Sequence, residues 1–207
     1  MKQKTLDCLG MACPRPLMAC RDCIEAEAPQ TMKVLVDDDA ALENVTRFLT
    51  ASGYSASHVK DGRAYVITAE RGPDAGKSPV PTVDGYPCPT PSNDDSQRIV
   101  VFLKSGVIGS GDDGLGGKLM ANFLKTLPEL GKDLWRIVMV NGAVRMSAAD
   151  SPHLEALQAL EAKGVSILVC GTCLEFFGLM DKRAVGQTTN MLDVVTSLHL
   201  ASKVIDI

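Results

Sequence analysis

The sequence contains no uninterrupted apolar run near the roughly 18 residues that a membrane-spanning helix needs. Its first residues, MKQKTLDCLG, lack the apolar core of a secretory signal, so we expect a cytoplasmic protein. An excess of basic charge is also missing, since 21 Lys and Arg stand against 25 Asp and Glu, for a net charge of −4. This balance excludes the dense basic surface typical of nucleic-acid-binding proteins. We therefore expect neither a membrane nor a nucleic acid as partner.

The cysteine content points to thiol chemistry rather than to disulfide cross-links. The 207 residues suffice for one or two domains, and 45% hydrophobic content is ordinary for a globular protein. Seven cysteines in a reducing compartment do not indicate a disulfide framework, and their number is odd. They are expected to be core thiols, metal ligands or reactive nucleophiles. The three histidines form no ligand pattern, and no metal site is predicted.

A proline-rich segment divides the sequence. Six of the eleven prolines fall within residues 72–97, where apolar periodicity is absent. We predict a first domain over residues 1–71, a linker over 72–97 and a second domain over 98–207. Cys88 lies in this linker, and a bystander role is favoured over that of a mobile relay thiol because no helix or cation would activate it.

Both flanking regions alternate between strand and helix patterns, which indicates an α/β protein. The first region reads βαβαββ, with a hairpin turn at Asp61-Gly62, and predicts a small two-layer sandwich. The second predicts a doubly wound, mostly parallel sheet, ending in an edge strand at 203–207. Its helix over 112–127 is expected to be amphipathic, with these residues on one face: Leu115, Leu119, Phe123 and Leu127.

The sharpest local chemistry lies in the run GMACPRPL at residues 10–17. Proline is favoured at the first position of a helix, so Pro14 predicts that Cys13 lies at or near the N-cap. Unpaired N–H groups and the positive helix end would stabilise the nucleophilic thiolate there, and Arg15 adds a cation. Gly10 lets the chain turn with no side chain over the sulfur. From the residues alone, a reactive Cys13 and one that merely caps the helix remain equally open.

This N-terminal pattern resembles the signature of the TusA/SirA family of sulfur-carrier proteins. The resemblance rests on Leu6-Asp7, Gly10 and CPRPL at 13–17, and it covers about the first 70 residues, including the βαβαββ order. It implies that Cys13 is the acceptor cysteine, which receives persulfide sulfur and passes it to a partner thiol. The expected partners are a donor such as a cysteine desulfurase and an acceptor protein, with no cofactor beyond the covalent persulfide.

Other cysteines of the first domain are expected to be structural. Cys20 and Cys23 form a CxxC inside the predicted helix, and Cys20 falls on its inward stripe. Two helical turns, about 10.5 Å, separate Cys13 from Cys20 and exceed the reach of a disulfide. A zinc site would need two further ligands, which this domain does not offer at a suitable spacing. Cys8 is expected to pack on the first strand.

A second thiol pair, Cys170 and Cys173, follows the predicted buried strand over 165–169. Ligands collect at the carboxyl ends of strands in open α/β sheets, and Cys173 is predicted to begin a helix whose N–H groups stabilise a thiolate. Gly171 permits the tight turn. Gly171 and Thr172 are the two residues between the cysteines, and a disulfide across two residues at a turn is geometrically plausible. That two small residues simply close the strand remains an alternative.

This second region resembles the DsrE/DsrF-like domain, which also belongs to sulfur-relay proteins. The resemblance rests on CGTCLEFFGL at 170–179, AVG at 184–186 and TNM at 189–191. Together with the TusA-like domain and the linker, it resembles the YedF-type proteins associated with selenium metabolism, over nearly the whole chain. It implies sulfur or selenium chemistry on the same thiolates, and a homo-oligomer assembled through the C-terminal domain.

A glycine-rich stretch at residues 109–114 fits the GxGxxG pattern of dinucleotide-binding loops. Asp112 and Asp113 stand where a pyrophosphate would bind, and their charge would repel it. We therefore predict that Asp112 caps the following helix and that the glycines form a loop.

The sequence predicts a sulfurtransferase-like carrier of sulfur or selenium. Cys13 accepts sulfane sulfur, and a second thiolate, for which Cys173 is chosen, attacks the outer sulfur, while Cys170 resolves or buffers it. One alternative is a thiol switch, in which a Cys170–Cys173 disulfide gates partner binding without sulfur loading. Another is a metal-binding regulator that uses both CxxC pairs.

Overall fold

A computed structural model of the chain describes residues 3–72 and 97–207. The chain divides into two compact units, the first containing residues 3–72 and the second containing the strands of 97–207. Cys88 and nearly all of the predicted linker lie outside the described residues. Each unit is described by itself.

The first unit is a four-stranded sheet covered by two helices. The elements are β1 (Gln3–Asp7), α1 (Arg15–Glu27), β2 (Thr31–Val36), α2 (Asp39–Ala51), β3 (Tyr54–Asp61) and β4 (Ala64–Arg71). The sheet order is β1-β2-β4-β3, in which only the β1–β2 pair is parallel among the described strands. Both helices contribute to one core against β2 and β4, so the predicted βαβαββ two-layer sandwich is confirmed.

Local signals explain where these elements begin and end. The Asp38 carboxylate accepts a hydrogen bond from the Ala41 N–H and so caps the start of α2. Gly53, at φ +83°, follows the end of that helix, and Gly62, at φ +63°, forms the β3–β4 turn. The helix stop and the hairpin lie where the glycine pattern predicts them.

The second unit is a five-stranded sheet with helices on both faces. Its elements are β5 (Ile99–Leu103), α3 (Asp113–Thr126), β6 (Leu134–Met139), α4 (Leu154–Ala162), β7 (Ser166–Cys170), α5 (Gly171–Phe176), β8 (Gln187–Thr189), α6 (Met191–Leu200) and β9 (Lys203–Asp206). The sheet order is β8-β7-β6-β5-β9, and every pairing between these strands is parallel. The edge position of the last strand is confirmed, whereas β8 escapes sequence analysis because it has only three residues.

Side chains alternate between the two faces of this sheet, as they must along any strand. One set packs under α3, α4 and α5: Val101, Leu103, Ile137, Met139, Ile167 and Val169. The other set packs against α6: Val100, Val138 and Leu168, with Val194 from the helix. Helices on both faces of a parallel sheet confirm the predicted doubly wound architecture.

The inward face of α3 differs from the predicted one. Its buried residues are Gly116, Met120 and Leu124, whereas Leu115 and Leu119 are 58% and 43% exposed. The cause is a close approach of the helix to the preceding loop, because a Cβ added at Gly116 would lie 2.9 Å from the Val107 Cβ. The glycine, which carries no hydrophobic signal, sets the rotation of the helix. The prediction for Leu115 and Leu119 is therefore wrong.

Candidate functional site

Cys13 lies in an exposed loop between β1 and α1. Gly10 adopts φ +69°, and its N–H donates a hydrogen bond to the Asp37 carboxylate with an N–Oδ2 distance of 2.9 Å. Asp37 directly follows β2, the parallel neighbour of β1, so the carboxyl ends of the two strands lie side by side. This contact anchors the loop three residues before Cys13 while the cysteine itself remains exposed.

Helix α1 begins one residue later than predicted. Pro14 is the N-cap because its carbonyl accepts the first helical hydrogen bond, from the Met18 N–H at 3.1 Å. Arg15 and Pro16 are the first two helical residues, and the Cys13–Pro14 peptide bond is cis. The proline predicted at the first helical position is Pro14, and that placement is wrong. Cys13 therefore precedes the N-cap, next to the exposed Arg15 and the positive helix end.

The other three cysteines in residues 3–72 are buried: Cys8, Cys20 and Cys23. Burial raises the pKa of each thiol, and for Cys20 the neighbouring Cys8 and Cys23 raise the pKa further. A raised pKa keeps these groups as neutral thiols, which are poor nucleophiles. The predicted packing roles of Cys8 and Cys20 are confirmed, and among residues 3–72 the exposed cysteine is Cys13.

Cys170 and Cys173 lie where β7 passes directly into α5. Cys170 is the last residue of β7, pairs with Thr189 of β8, and is also the N-cap of α5. It is 4% exposed, whereas Cys173 is half-buried. Gly171 starts the helix and is buried, and Thr172 is exposed. The prediction that Cys173 begins the helix is wrong, because the strand runs one residue further and the helix starts at once.

The donor to the Cys173 sulfur comes from another strand end. The Asn141 N–H donates a hydrogen bond to the Cys173 Sγ, with an N–S distance of 3.1 Å. Strands β6 and β7 are parallel neighbours with Met139 opposite Val169, so the residues after both strands meet at one sheet edge. Asn141 adopts φ +50°, a left-handed conformation that asparagine tolerates better than most residues. A thiolate accepts such a hydrogen bond more strongly than a neutral thiol does.

Sequence reasoning missed Asn141 and Asp37 as neighbours of the two cysteine-bearing turns. The Asn141-Gly142 pair comes just after β6, and Asn-Gly is a signal for a turn with positive φ. That signal indicates the turn, but only the strand register shows that its N–H meets Cys173.

The glycine-rich stretch after β5 has the predicted capping role and no exposed cradle for phosphate. The Asp112 carboxylate accepts a hydrogen bond from the Leu115 N–H at 2.7 Å, so it occupies the start of α3 itself. This carboxylate stands where a pyrophosphate would need the N–H groups. The predicted cap is confirmed.

Residues 3–72 and 97–207 show neither a metal-ligand cluster nor a membrane-spanning helix. No three His, Cys, Asp or Glu side chains in these ranges are grouped as metal ligands. No helix in them combines the length and apolar character needed to cross a bilayer.

A family comparison covers the first unit. Residues 4–71 match the family model described as Sulfurtransferase TusA. The chain therefore carries a TusA/SirA-like domain at its N-terminus, as the run around Cys13 predicts. This match supports a sulfur-carrier role.

Two solved structures resemble parts of the chain. A SirA-like protein from Desulfitobacterium hafniense is 29% identical, with 33% of this chain and 97% of that chain covered and a TM-score of 0.31. The ychN protein from E. coli is 18% identical, with 54% of this chain and 99% of that chain covered and a TM-score of 0.45. No curated protein sequence matches the chain significantly.

Proposed function

We propose that this protein is a cytoplasmic sulfur carrier with sulfurtransferase-like activity, in which Cys13 holds the transferred sulfur as a persulfide. The observation that carries the proposal is the contrast among the four thiols of the TusA-like domain. Cys13 is exposed and lies two residues before the exposed Arg15, whereas burial raises the pKa of Cys8, Cys20 and Cys23. The match of residues 4–71 to the TusA family supplies the chemistry for which such a thiol is used.

Loading and unloading of Cys13 are two thiolate displacements. The Cys13 thiolate attacks the outer sulfur of a donor persulfide, the donor S–S bond breaks, and the donor leaves as a thiolate. An acceptor thiolate then attacks the outer sulfur of Cys13–S–SH, and Cys13 leaves as a thiolate in turn. Neither step consumes an oxidant or a reductant. A cysteine desulfurase carrying a persulfide is the proposed donor.

The proposed acceptor within the chain is Cys173. Its sulfur accepts the Asn141 N–H, and this donor stays in place both when the sulfur attacks and when it leaves. The buried Cys170 resolves the Cys173 persulfide by attacking the inner sulfur, which forms a Cys170–Cys173 disulfide and releases hydrosulfide. Selenium in place of sulfur follows the same displacements, as expected for a YedF-type protein. We further propose a homo-oligomer through the second domain, consistent with exposed Leu115 and Leu119.

Peptide-resolved mass spectrometry under non-reducing alkylation tests this proposal. The full-length protein is incubated with a cysteine desulfurase and cysteine, and Cys13→Ser and Cys173→Ser variants are treated alongside. We expect one added sulfur on Cys13 and, later, on Cys173. Cys13→Ser should abolish both signals, whereas Cys173→Ser should retain the first.

The same spectra test the thiol-switch alternative. If no cysteine gains sulfur while Cys170 and Cys173 are joined in a disulfide, the carrier mechanism fails with this donor. A switch that gates partner binding would then explain the pair better.

A further inference from the structure

An open groove of about 620 Å³ lies at the carboxyl end of the second sheet. Its walls come from the loop after β5, the turn after β6 and the end of α5, and we call it the β5–β6 groove. The residues used below are Asp113, Gly142, Arg145, Asp150, His153 and Phe177, all of which line it. Its volume lies within the range of small-molecule sites, about 300–1,000 Å³.

The Cys173 sulfur lies near this groove, close to one of its lining residues. The Sγ accepts the Asn141 N–H, and the next residue, Gly142, lines the groove. Standard backbone dimensions then place the sulfur within about 8.4 Å of the Gly142 Cα. Phe177, one helical turn after Cys173, also lines the groove, and its N–H donates to the Cys173 carbonyl at 3.1 Å. Two lining residues from different segments, Gly142 and Phe177, therefore lie close to Cys173.

Arg145 is held ready for an anion. Its guanidinium stacks over the Phe177 ring, 4.4 Å from the ring centroid. Arg145 is exposed, and within the described residues its guanidinium forms no ion pair. Stacking fixes the planar group while its N–H donors remain directed along its edge, where a carboxylate binds with two hydrogen bonds.

The groove also offers negative charge. Asp113 and Asp150 are both exposed residues of its lining. Burial lowers the pKa of His153, so this side chain is neutral near pH 7 and adds no second cation. One guanidinium and two carboxylates line the same open space, a combination that suits a ligand carrying both an anionic and a cationic group.

We propose that the β5–β6 groove binds a small thiol bearing both a carboxylate and an ammonium group, and that this thiol takes sulfane sulfur from Cys173. The inference rests on the proposed function, because Cys173 must carry a persulfide. Arg145 binds the carboxylate, and Asp113 and Asp150 attract the ammonium group.

The transfer is balanced. The ligand thiolate attacks the outer sulfur of Cys173–S–SH and forms a new S–S bond. The old S–S bond breaks, its electron pair remains on the Cys173 Sγ, and the Asn141 N–H donates to the resulting thiolate. The small persulfide leaves, and no oxidant or reductant is consumed.

Four thiols and two groove variants test the inference. The full-length protein is loaded with inorganic polysulfide, and the loss of persulfide from the Cys173 peptide is followed by mass spectrometry. Four acceptor thiols are compared. Cysteine carries both a carboxylate and an ammonium group, mercaptopropionate only the carboxylate, cysteamine only the ammonium group, and mercaptoethanol neither. For each acceptor thiol, the wild-type rate is divided by the variant rate. This ratio cancels the intrinsic reactivity of the acceptor.

Arg145→Gln should slow transfer to cysteine and mercaptopropionate about tenfold, since a charge-assisted hydrogen bond is lost. It should leave cysteamine and mercaptoethanol unchanged. The double variant Asp113→Asn/Asp150→Asn should slow cysteine and cysteamine and spare the other two. Arg98→Gln is the matched control. Arg98 also stacks on an aromatic ring, that of Trp135, but it lies just before β5, at the end of the strands opposite to the groove. Equal ratios for all four thiols would overturn the inference.

A binding measurement separates this inference from the proposed function. S-methylcysteine carries both charged groups but cannot accept sulfur. It should shift the backbone amide resonances of Gly142 and His153 in the wild type and not in Arg145→Gln. If it does so while Cys173 never carries sulfur from Cys13, the groove site is supported and the relay fails. If it does not bind, the groove assignment is wrong whatever Cys173 carries.

Discussion

Adjacent glycines in α3 should respond to alanine in opposite directions. A Cβ at Gly116 would lie 2.9 Å from the Val107 Cβ and 3.0 Å from the Ile108 carbonyl oxygen, whereas a Cβ at Gly117 would meet no atom within 4 Å. Both contacts at Gly116 involve atoms tied to the backbone, so the overlap cannot be relieved by a rotamer change. We assign to it about 3 kcal/mol, the upper end of the usual cost of overpacking.

Helix propensity acts equally on both variants. Alanine stabilises a helix interior by about 1 kcal/mol relative to glycine. Gly117→Ala should therefore raise the free energy of unfolding by about 1 kcal/mol, and Gly116→Ala should lower it by about 2 kcal/mol. The free energies of unfolding of the two variants should therefore differ by about 3 kcal/mol, and this difference is due to the packing of α3 against residues 107–108.

Urea denaturation followed by tryptophan fluorescence measures this difference. The chain has one tryptophan, Trp135, which lies in β6 of the second unit, so the signal reports on that unit. The midpoints of the two variants should move to opposite sides of the wild-type midpoint at equal slope. Equal midpoints for Gly116→Ala and Gly117→Ala would refute the proposed close approach between helix and loop.

Three further predictions concern the thiols and the start of α3. Iodoacetamide should modify Cys13 in the native protein well before Cys8, Cys20 and Cys23, as peptide mass spectrometry with and without urea will show; equal labelling would contradict their burial. The free energy of unfolding of the first unit should fall as pH rises above about 8.5, by up to about 1.4 kcal/mol per pH unit per thiol, because burial raises the pKa of the folded thiols and the unfolded thiols therefore ionise first. Urea denaturation followed by far-ultraviolet circular dichroism at pH 7 to 10 measures this slope, which Cys20→Ala should reduce. Asp112→Ala should destabilise the second unit by about 1 kcal/mol through loss of the α3 cap, whereas Asp112→Ser should retain most of it in the Trp135 assay.

Sequence patterns sufficed for the features that depend on local chemistry. Asp38 and Asp112 cap helices because their carboxylates accept hydrogen bonds from N–H groups three residues ahead. Such a cap depends only on residues that are close in the sequence. Apolar runs likewise predicted both sheets except for β8, because the other buried strands carry their own hydrophobic signal whereas β8 consists of Gln187, Thr188 and Thr189.

Features that depend on distant residues could not be predicted in the same way. The burial of Gly116 in place of Leu115 follows from contact with Val107, which periodicity within the helix does not reveal. The hydrogen bond from Asn141 to Cys173 joins residues 32 positions apart and depends on the register of β6 against β7. Sequence analysis therefore identified the cysteines but assigned a helix N–H as the donor to Cys173.

The group that donates a hydrogen bond to the Cys173 sulfur belongs to the main chain, and this limits how substitutions can change the reactivity of the thiol. Exchanging the side chain at position 141 leaves the N–H in place wherever the new residue adopts φ near +50°, as glycine and aspartate do. A β-branched residue there would instead displace the backbone, and proline would delete the donor and forbid the conformation. Substitutions at position 141 therefore affect the hydrogen bond to Cys173 only through the conformation of the turn. A library of variants at this position should fall into two classes of activity, those that keep the turn and those that lose it, rather than a graded series.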